Sequence, residues 1–242
     1  MRVLVTGTNS GLGKWISTQF PDCDKFARGS NIADFPKKTI LSDGKHTYPA
    51  YTMEFEEYDL IIHCAATISH CGWDDVEADL FDDNVFLTRE LTKIPHKKFV
   101  LISTIDEAKD SPYGVTKRIS EIVVKELCEN YLILRTSALI GKEMKKNTFQ
   151  KIVAGEDIAL TPDTVMNYIL YEDVLNAIRD NHDGTKVLRS NENISMREIV
   201  DIFGHSLSFG SIHYEVEYVE TDIDTKKNSK QNIERYKDLY CA

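Results

Sequence analysis

The segment that decides the fold is Met1–Gly13, which reads MRVLVTGTNSGLG. Its first part, Arg2–Thr6, is apolar and rich in β-branched residues, which predicts a buried strand. A glycine-bearing turn follows, and the amphipathic stretch Gly11–Phe20 predicts a helix. Glycines between a strand and a helix let the chain turn tightly and bring backbone N–H groups close to a pyrophosphate. The order of strand, turn and helix therefore predicts a phosphate-binding turn, with the spacing G-x-x-x-G-x-G.

The alternation of strands and helices continues outward from this turn. Apolar runs of strand length occur at Asp59–Ala66, Lys98–Ser103 and Asn130–Arg135, and helices are predicted at Asp82–Thr92 and Tyr113–Leu127. Such alternation is typical of right-handed βαβ units around a parallel sheet, so we predict an α/β fold. His63 lies inside one of these buried strands and is predicted to be a hydrogen-bonded core residue.

Beyond Gly141 the pattern loosens. We predict a strand-to-helix passage at Val165–Arg179, a helix at Ser195–Phe203 that begins with a capping box, and a strand at His213–Val219. We therefore divide the chain into a core, residues 1–141, and a second part, residues 142–242. The second part is expected to complete the sheet and to form a small lobe interleaved with the core.

Charge and composition narrow the classes of function. The chain has 242 residues, with 29 Lys and Arg against 39 Asp and Glu and a formal net charge of −10. This acidic excess argues against nucleic acid as a partner, because nucleic-acid binding needs a positive field that releases counterions. It leaves room for an anionic small molecule held by local backbone dipoles.

The apolar runs, cysteines and histidines indicate the cellular compartment and whether the chain binds a metal. No apolar run approaches the length of a membrane span, and the N-terminal residues enter a strand without a signal-peptide pattern. The five cysteines are scattered, and the seven histidines form no ligand set. We expect a cytoplasmic protein in a reducing environment, without a metal site and without a membrane partner.

A second motif begins the helix that follows the strand Lys98–Ser103. Tyr113 and Lys117 in the sequence YGVTK are four positions apart, so they share a helix face and the ammonium is expected near the phenol. A nearby cation lowers a tyrosine pKa and lets the phenol act as a general acid or base near neutrality. Ser103 or Thr104, at the end of the preceding strand, is the candidate for a hydroxyl that hydrogen-bonds a substrate carbonyl.

These motifs resemble the short-chain dehydrogenase/reductase superfamily. TGTNSGLG is similar to its cofactor turn, DLIIHCAA to its Ala-Ala strand and YGVTK to its catalytic motif. Downstream segments resemble the extended, NAD-dependent epimerase/dehydratase branch: FVLIST, SPYGVTKRISE, YLILRTSALIG (with Thr136 where Pro is usual), NYILYEDVLNAI and NISMREIVDIF. The resemblance covers most of residues 1–203. It implies a Rossmann-type doubly wound parallel sheet with a small C-terminal substrate lobe, binding NAD or NADP.

The resemblance also implies roles for individual residues. Tyr113 would be the acid/base, Lys117 would orient the ribose and tune Tyr113, and Thr104 would polarise the substrate carbonyl, with Ser103 as the alternative. Asn84 would position structure or water, and Arg135 would fix its strand. The residues expected to bind the cofactor are Gly7, Thr8, Asn9, Ser10, Gly11, Leu12, Gly13, Arg28, Cys64, Ala65, Ala66, Tyr113 and Lys117.

Two departures from the branch concern the substrate side. Only eight residues separate Thr104 from Tyr113, a shorter loop than is usual, so we expect a trimmed substrate wall and a comparatively open pocket. In the dehydratases of the branch an Asp-Glu pair directly follows the catalytic Thr, whereas Ile105 here precedes Asp106 and Glu107. This spacing argues against dehydration, and we predict that both carboxylates are solvated.

The choice of nicotinamide cofactor depends on the end of the second strand, near Asp24–Ser30. An acidic residue there binds the ribose 2′-hydroxyl of NAD, whereas an arginine suits the 2′-phosphate of NADP. Arg28 and Ser30 lie at about the right distance from the glycine turn, and Lys14 directly follows Gly13. We therefore expect NADP rather than NAD.

The leading hypothesis is an NAD(P)-dependent oxidoreductase that reduces a keto group of a nucleotide-linked sugar. The sugar nucleotide is implied by the resemblance alone. An NAD(P)-dependent nucleotide-sugar epimerase is the alternative, and a non-catalytic NADP-binding sensor or scaffold is an alternative of another class. The resemblance also implies a homodimer through the helix Tyr113–Leu127.

Overall fold

The first strand belongs to a parallel sheet of seven strands. The computed structural model describes residues 1–27, 30, 57–68, 78–214, 216 and 219–241. In chain order the strands are β1 (Val3–Thr6), β2 (Asp24–Phe26), β3 (Leu60–His63), β4 (Phe99–Thr104), β5 (Tyr131–Thr136), β6 (Ala138–Ile140), β7 (Ile158–Leu160), β8 (Val165–Met166), β9 (Tyr168–Leu170), β10 (Gly184–Arg189), β11 (Ile194–Ser195), β12 (Phe209–Ile212) and β13 (Ile223–Asp224).

Seven strands share the main sheet, in the order β13-β10-β5-β4-β3-β1-β2, and all their pairings are parallel. The chain builds outward from β1 in both directions, since β2 pairs on one side and β3 on the other. This is the doubly wound arrangement, and it confirms the predicted Rossmann-type fold. A crevice forms in such sheets where the strand order reverses, at the carboxyl ends of β1 and β3.

The helices include those that the sequence predicted, together with α5 and α8, which it did not predict. They are α1 (Gly11–Gln19), α2 (Ala78–Phe81), α3 (Leu87–Thr92), α4 (Pro112–Leu127), α5 (Thr148–Val153), α6 (Tyr171–Arg179), α7 (Met196–Phe203) and α8 (Ser229–Tyr240). A π-helical turn, Asp82–Phe86, joins α2 to α3, so the helix predicted at Asp82–Thr92 begins earlier and contains this turn. No helix within the described ranges is long and apolar enough to cross a membrane.

Helices cover both faces of the main sheet, because its strands are apolar on both faces. On β3, Ile62 packs into one cluster with Leu12 of α1 and Val174 of α6. Its neighbour Ile61 packs into the opposite cluster with Val124 of α4. The strands are therefore buried on both sides, as their unbroken apolar runs predicted.

A third apolar cluster forms the C-terminal lobe, which includes β7, α5, α7 and α8. Residues beyond Gly141 serve both parts, since β10 and β13 belong to the main sheet. At the start of α7, the Ser195 hydroxyl accepts from Glu198 N (3.3 Å) and the Glu198 carboxylate accepts from Ser195 N (2.9 Å), which confirms the capping box.

The strand predicted at His213–Val219 is wrong. The strand in this region is β12, which ends at Ile212 and pairs with β7, and residues 213, 214, 216 and 219 are not in a strand. Alternation of apolar and polar residues predicts a strand only where a partner edge is within reach, and that edge extends along Ile158–Leu160.

Candidate functional site

The glycine turn lies tightly against the segment that follows β3. Gly7 has φ +75°, and a Cβ at that position would lie 2.8 Å from Ala65 N. A Cβ at Gly13 would lie 2.5 Å from the carbonyl oxygen of Gly7, so α1 begins directly beside the turn. Side chains at these positions would collide with the backbone of the turn and of the segment after β3, so glycine allows this close packing. The turn therefore fits a dinucleotide.

Thr6 connects the carboxyl ends of β1 and β3. Its hydroxyl oxygen accepts from the backbone N–H groups of Cys64 and Ala65, both at 3.1 Å, and hydrogen-bonds to His63 Nδ1 at 2.7 Å. These bonds explain why β3 ends at His63 rather than extending to Ala66 as predicted. Sequence reasoning missed this role of Thr6, which only the pairing of β1 with β3 reveals.

His63 is a satisfied core residue. Its Nε2 hydrogen-bonds to the Thr88 hydroxyl at 2.9 Å, and its side chain is buried. Burial, with a smaller effect of the Lys117 charge, lowers the pKa of the His63 imidazole to about 3. The ring is therefore neutral at physiological pH and carries no proton-transfer role here.

The segment that follows β6, residues 141–144, crosses the glycine turn. The Gly11 N–H donates to the Glu143 carbonyl oxygen at 3.1 Å, and Lys14 Nζ pairs with the Glu143 carboxylate at 2.5 Å. Gly141 is required at its position because a Cβ there would lie 2.1 Å from the Tyr171 ring. Lys14, which the sequence offered as a phosphate-binding cation, thus has a carboxylate partner.

The candidate acid/base residues lie on the first turns of α4. Ser111 caps the helix by accepting from Gly114 N (3.1 Å), and Pro112 occupies the first helical position. Tyr113 is half-buried. Lys117 is 2% exposed, and its Nζ donates to the Ile102 carbonyl oxygen of β4 at 2.7 Å.

The electrostatics of this pair differ from expectation. Burial raises the pKa of the Tyr113 phenol above its ordinary value, and the negative charge of Asp106 adds to the shift. Burial also lowers the pKa of the Lys117 ammonium to about 8. The shift of the Tyr113 pKa is opposite to the predicted lowering, because burial and the Asp106 charge act on the phenol, whereas the Lys117 ammonium is bonded to Ile102.

The two hydroxyls at the end of β4 have different partners. The Ser103 hydroxyl is buried and donates to Glu121 Oε1 at 2.6 Å. The Thr104 hydroxyl is half-buried and accepts from Asp106 N at 3.1 Å, which leaves its own proton for another acceptor. Thr104 is therefore better placed than Ser103 to donate to a substrate oxygen.

Asp106 and Glu107 follow in a 3₁₀ turn, Ile105–Ala108, and neither is a freely solvated carboxylate as predicted. Glu107 is 8% exposed and pairs with Arg135. Asp106 pairs with Lys109 at 2.6 Å. The prediction fails because each carboxylate has a cationic partner: Arg135 on β5 pairs with Glu107, and Lys109, directly after the turn, pairs with Asp106.

Arg135 and Glu121 fix the strand and helix behind Ser103. The Arg135 guanidinium donates to both carboxylate oxygens of Glu121, at 2.6 to 3.1 Å, and Glu121 is 1% exposed. Ser103, Glu121, Arg135 and Glu107 thus form one buried network that joins β4, α4 and β5. Arg135 has the structural contacts that the resemblance implied.

Asn84 links the Ala-Ala segment to α4. The Asn84 side chain is 2% exposed, accepts from Thr67 N at 2.9 Å and donates to the Thr67 carbonyl at 3.0 Å and the Thr116 hydroxyl at 3.1 Å. These bonds place the segment after Ala66 beside the helix that carries Tyr113. They agree with a structural role for Asn84.

The site as a whole lies at the carboxyl edge of the sheet. The turn Gly7–Gly13 follows β1, Cys64–Ala66 follow β3 and Thr104 ends β4, while Lys117 is bonded to β4. Cys64 lies close enough to Lys117 for their charges to interact, and burial raises the pKa of its thiol to about 12. Arg28 lies outside the described residues. Among the described residues, no group of three or more His, Cys, Asp and Glu could hold a metal ion.

Comparison with solved structures shows the same fold in several nucleotide-sugar enzymes. A dTDP-4-dehydrorhamnose reductase from Bacillus anthracis, solved with NADP, has a TM-score of 0.69 and 19% identity, with 97% of this chain and 98% of that chain covered. RMD from Pseudomonas aeruginosa, solved with NADPH, has a TM-score of 0.69 and 16% identity, with 98% of each chain covered. A UDP-N-acetylglucosamine 4-epimerase from Bacillus cereus has a TM-score of 0.65 and 20% identity, with 100% of each chain covered.

Comparison at the level of sequence gives the family. No curated protein sequence matches the chain. The model of the NAD dependent epimerase/dehydratase family matches residues 3–179, from the first strand to the end of α6. This range includes the glycine turn, the Thr104 strand and the Tyr113 helix. The chain therefore belongs to the NAD dependent epimerase/dehydratase family, whose members are NAD(P)-dependent enzymes of the short-chain dehydrogenase/reductase type.

Proposed function

We propose that the protein reduces a keto group of a nucleotide-linked sugar with NADPH. The observation that carries the proposal is that Thr104 ends β4 and Tyr113 lies in the first turn of α4, at the same carboxyl edge of the sheet at which the glycine turn follows β1. Support for the substrate class comes from the likeness to a dTDP-4-dehydrorhamnose reductase solved with NADP, and the likeness to RMD solved with NADPH supports the cofactor.

The reaction uses a proton donor and a hydroxyl that steadies the carbonyl. The nicotinamide, when bound, supplies a hydride to the ketone carbon. Tyr113 gives its phenolic proton to the oxygen, and its raised pKa keeps the phenol protonated, ready to donate. Thr104 donates a hydrogen bond to the same oxygen. Lys117, whose ammonium is held by the Ile102 carbonyl, is placed to hold the ribose and to stabilise the phenolate that remains.

Binding of the cofactor is assigned to the turn residues. Gly7, Gly11 and Gly13 allow close approach of the pyrophosphate, with Thr8, Asn9, Ser10 and Leu12 supplying the rest of the turn. Cys64, Ala65 and Ala66 line the adenosine side, and bonds to Thr6 fix the first two of them. The proposed preference for NADP over NAD rests on Arg28, because Lys14 is paired with the Glu143 carboxylate.

The cofactor preference is tested by binding titrations. We expect wild-type protein to bind NADPH more tightly than NADH, and Arg28→Ala to remove the difference by weakening NADPH alone. Lys14→Ala serves as the matched control, since it removes a cation beside the same turn. A wild-type preference for NADH contradicts the role of Arg28.

The reaction is tested by supplying two substrates. With dTDP-4-dehydrorhamnose and NADPH, a reductase oxidises NADPH in step with loss of the ketone. With UDP-galactose and no added cofactor, an epimerase that retains its cofactor interconverts the sugar without net oxidation. Tight NADPH binding with no conversion of either compound, or of a wider set of nucleotide sugars and simple ketones, would identify a non-catalytic NADP-binding protein.

A homodimer through α4 is part of the proposal. Large apolar side chains are exposed on this part of the surface, namely Phe86 in the π-helical turn (53% exposed) and Ile122 and Leu127 on α4 (54% and 50%). Light scattering of the purified protein tests it: we expect twice the chain mass for wild type, and the chain mass for Ile122→Lys. Cys23, Cys64 and Cys241 are free thiols, which fits the proposed cytoplasmic location.

A further inference from the structure

One side chain of the C-terminal lobe reaches the turn that follows Thr104. The Tyr214 hydroxyl donates to the Asp106 carboxylate, at 3.1 Å from Oδ1 and 3.2 Å from Oδ2. Lys109 Nζ pairs with the same carboxylate at 2.6 Å, contacts the Tyr214 hydroxyl and lies 4.2 Å from the centroid of the Tyr214 ring. Three groups thus converge, and the carboxylate has both a cation and a hydroxyl as donors.

Tyr214 is firmly attached to the lobe through its backbone. Its N–H donates to the Thr164 hydroxyl at 3.3 Å, and Thr164 is fully buried. The preceding strand residue, Ile212, accepts from Thr161 N at 2.9 Å through its carbonyl. The position of the Tyr214 side chain is therefore set by the lobe, not by the sheet.

The other end of the contact is attached to the candidate catalytic residues. Asp106 N donates to the Thr104 hydroxyl, so the 3₁₀ turn and Thr104 hold each other. The same turn packs against the start of α4: a Cβ at Gly114 would lie 2.6 Å from the carbonyl oxygens of both Asp106 and Lys109. Gly114 directly follows Tyr113. A shift of this turn therefore displaces Thr104 and the first turn of α4 together.

We propose that Tyr214, Asp106 and Lys109 form a latch that fastens the substrate lobe to the catalytic turn, with Tyr214 as a positioning residue. The inference rests on the proposed function for its kinetic consequence, whereas the mechanical link stands on the contacts alone. The eight-residue connection between Thr104 and Tyr113 is short, and the latch gives it an anchor outside the main sheet. A lone exposed ion pair contributes little, but a carboxylate shared by an ammonium and a phenol that contact one another restrains all three.

The latch also bears on the charge beside Tyr113. The Asp106 carboxylate opposes ionisation of the Tyr113 phenol, and Lys109 and the Tyr214 hydroxyl partly offset its charge. Loss of either donor leaves the carboxylate less compensated and the turn less restrained. Both effects act on the candidate proton donor and leave the glycine turn in place, so cofactor binding is expected to change much less than kcat.

The test compares Tyr214→Phe with Tyr236→Phe. Tyr214→Phe removes the hydroxyl and keeps the ring beneath Lys109. Tyr236→Phe removes another hydrogen-bonded lobe phenol, which accepts from Gln150 at 2.8 Å and lies outside the latch. Hydrogen exchange is measured over residues 104–117, together with NADPH affinity and, with dTDP-4-dehydrorhamnose, kcat and KM.

We expect Tyr214→Phe to speed hydrogen exchange in residues 104–117 and to lower kcat by on the order of tenfold through misplacement of the reacting groups. The KM for NADPH should stay within about twofold of wild type, and Tyr236→Phe should change none of these quantities. Asp106→Asn, which removes the carboxylate that pairs with Lys109, should also speed hydrogen exchange in residues 104–117. Lys109→Arg should retain the rate and Lys109→Met should lose it.

Two outcomes overturn parts of this inference separately. Unchanged exchange over residues 104–117 in Tyr214→Phe, or the same change in Tyr236→Phe, overturns the latch. If wild-type protein converts no nucleotide sugar, the proposed function fails, and hydrogen exchange alone decides the latch. Faster exchange with an unchanged kcat overturns the positioning role.

Discussion

His63 shows how a single buried side chain sets the response to acid. Its imidazole has a pKa of about 3 in the folded protein, well below the ordinary value of 6.5. Between these two values the unfolded chain binds the proton and the folded one does not. Stability associated with His63 is therefore fully present above pH 6.5 and is lost as the pH falls towards 3.

We expect His63→Gln to flatten this dependence. One proton bound only by the unfolded state gives a slope of about 1.4 kcal/mol per pH unit, which the variant lacks. Glutamine retains a donor and an acceptor for Thr6 and Thr88. Chemical denaturation at a series of pH values between 3 and 7 measures the slope. His205→Gln is the control, because His205 is an exposed histidine. Equal slopes for wild type and His63→Gln contradict this role.

Gly7 tests the close approach of backbone in the glycine turn. Alanine at this position adopts φ +75° and places its Cβ 2.8 Å from Ala65 N. Gly184 has the same φ of +75° with no atom within 4 Å of the Cβ position, so Gly184→Ala carries the backbone cost without the collision. We expect Gly184→Ala to lose about 1 kcal/mol of stability and Gly7→Ala to lose more.

The variants Gly7→Ala and Gly184→Ala also separate the effect of backbone strain on stability from the effect of the turn on cofactor binding. Gly7→Ala should weaken NADPH binding by at least about tenfold, because the turn moves away from the segment after β3. Gly184→Ala should leave the affinity unchanged, since it lies at the start of β10. Titration of both variants, with thermal melts, gives the answer. If Gly7→Ala bound NADPH with wild-type affinity, the role of the glycine turn in cofactor binding would be contradicted.

At the residue scale, the sequence could predict positions better than partners. Spacing and resemblance identified Tyr113, Lys117 and Thr104, and the turn that carries Gly7. They did not predict the Lys117–Ile102 bond, which joins α4 to β4. They also did not predict the sign of the Tyr113 pKa shift, because it depends on burial as well as on the neighbouring charge. Tyr214 as a partner of Asp106, and Arg135 as a partner of Glu107, were equally unpredictable, because Tyr214 is 108 residues from Asp106 and Arg135 lies on another strand.

Among the elements, β4, α4 and β5 are held together by a buried ionic network. Arg135 lies between two carboxylates, Glu121 at 1% exposure and Glu107 at 8%. Breaking such a network from one side leaves uncompensated charge inside the protein. The three elements carry Thr104 and Tyr113, so the network also supports the site.

We expect Arg135→Met to destabilise the protein by about 3 kcal/mol at neutral pH. The loss should be smaller at pH 5, because burial raises the pKa of Glu107 and removal of the Arg135 charge, which lowers that pKa, raises it further, so this carboxylate can be protonated as the pH falls. Denaturant unfolding at both pH values measures this. Lys146→Met, which removes an exposed ion pair with Glu156, is the control. An effect no larger than that of the control argues against the network.

Element boundaries were predictable where a strand or helix carries its own signal. The unbroken apolar runs gave β3, β4 and β5 to within three residues at either end, and the capping box gave α7. The strand expected at His213–Val219 was misplaced, because its position depends on pairing with β7 rather than on local alternation. The π-helical turn Asp82–Phe86 has no comparable local signature.

At the scale of the whole molecule, the net charge of −10 coexists with a site suited to phosphates. Backbone N–H groups of the glycine turn, rather than a positive overall field, make this possible. The parallel sheet and its doubly wound order followed from alternating strands and helices. The lobe was harder to predict, since its short strands β7, β8, β11 and β12 pair between distant segments.

The most direct measurement compares turnover of dTDP-4-dehydrorhamnose by wild type, Tyr113→Phe and Tyr131→Phe, with NADPH affinity measured on the same samples. Tyr131, at the opposite end of β5 from the site, is the matched control. If Tyr113 is the proton donor, Tyr113→Phe lowers kcat by at least about a hundredfold with NADPH affinity unchanged, and Tyr131→Phe retains the wild-type rate. Wild-type turnover by Tyr113→Phe would contradict the proposed chemistry.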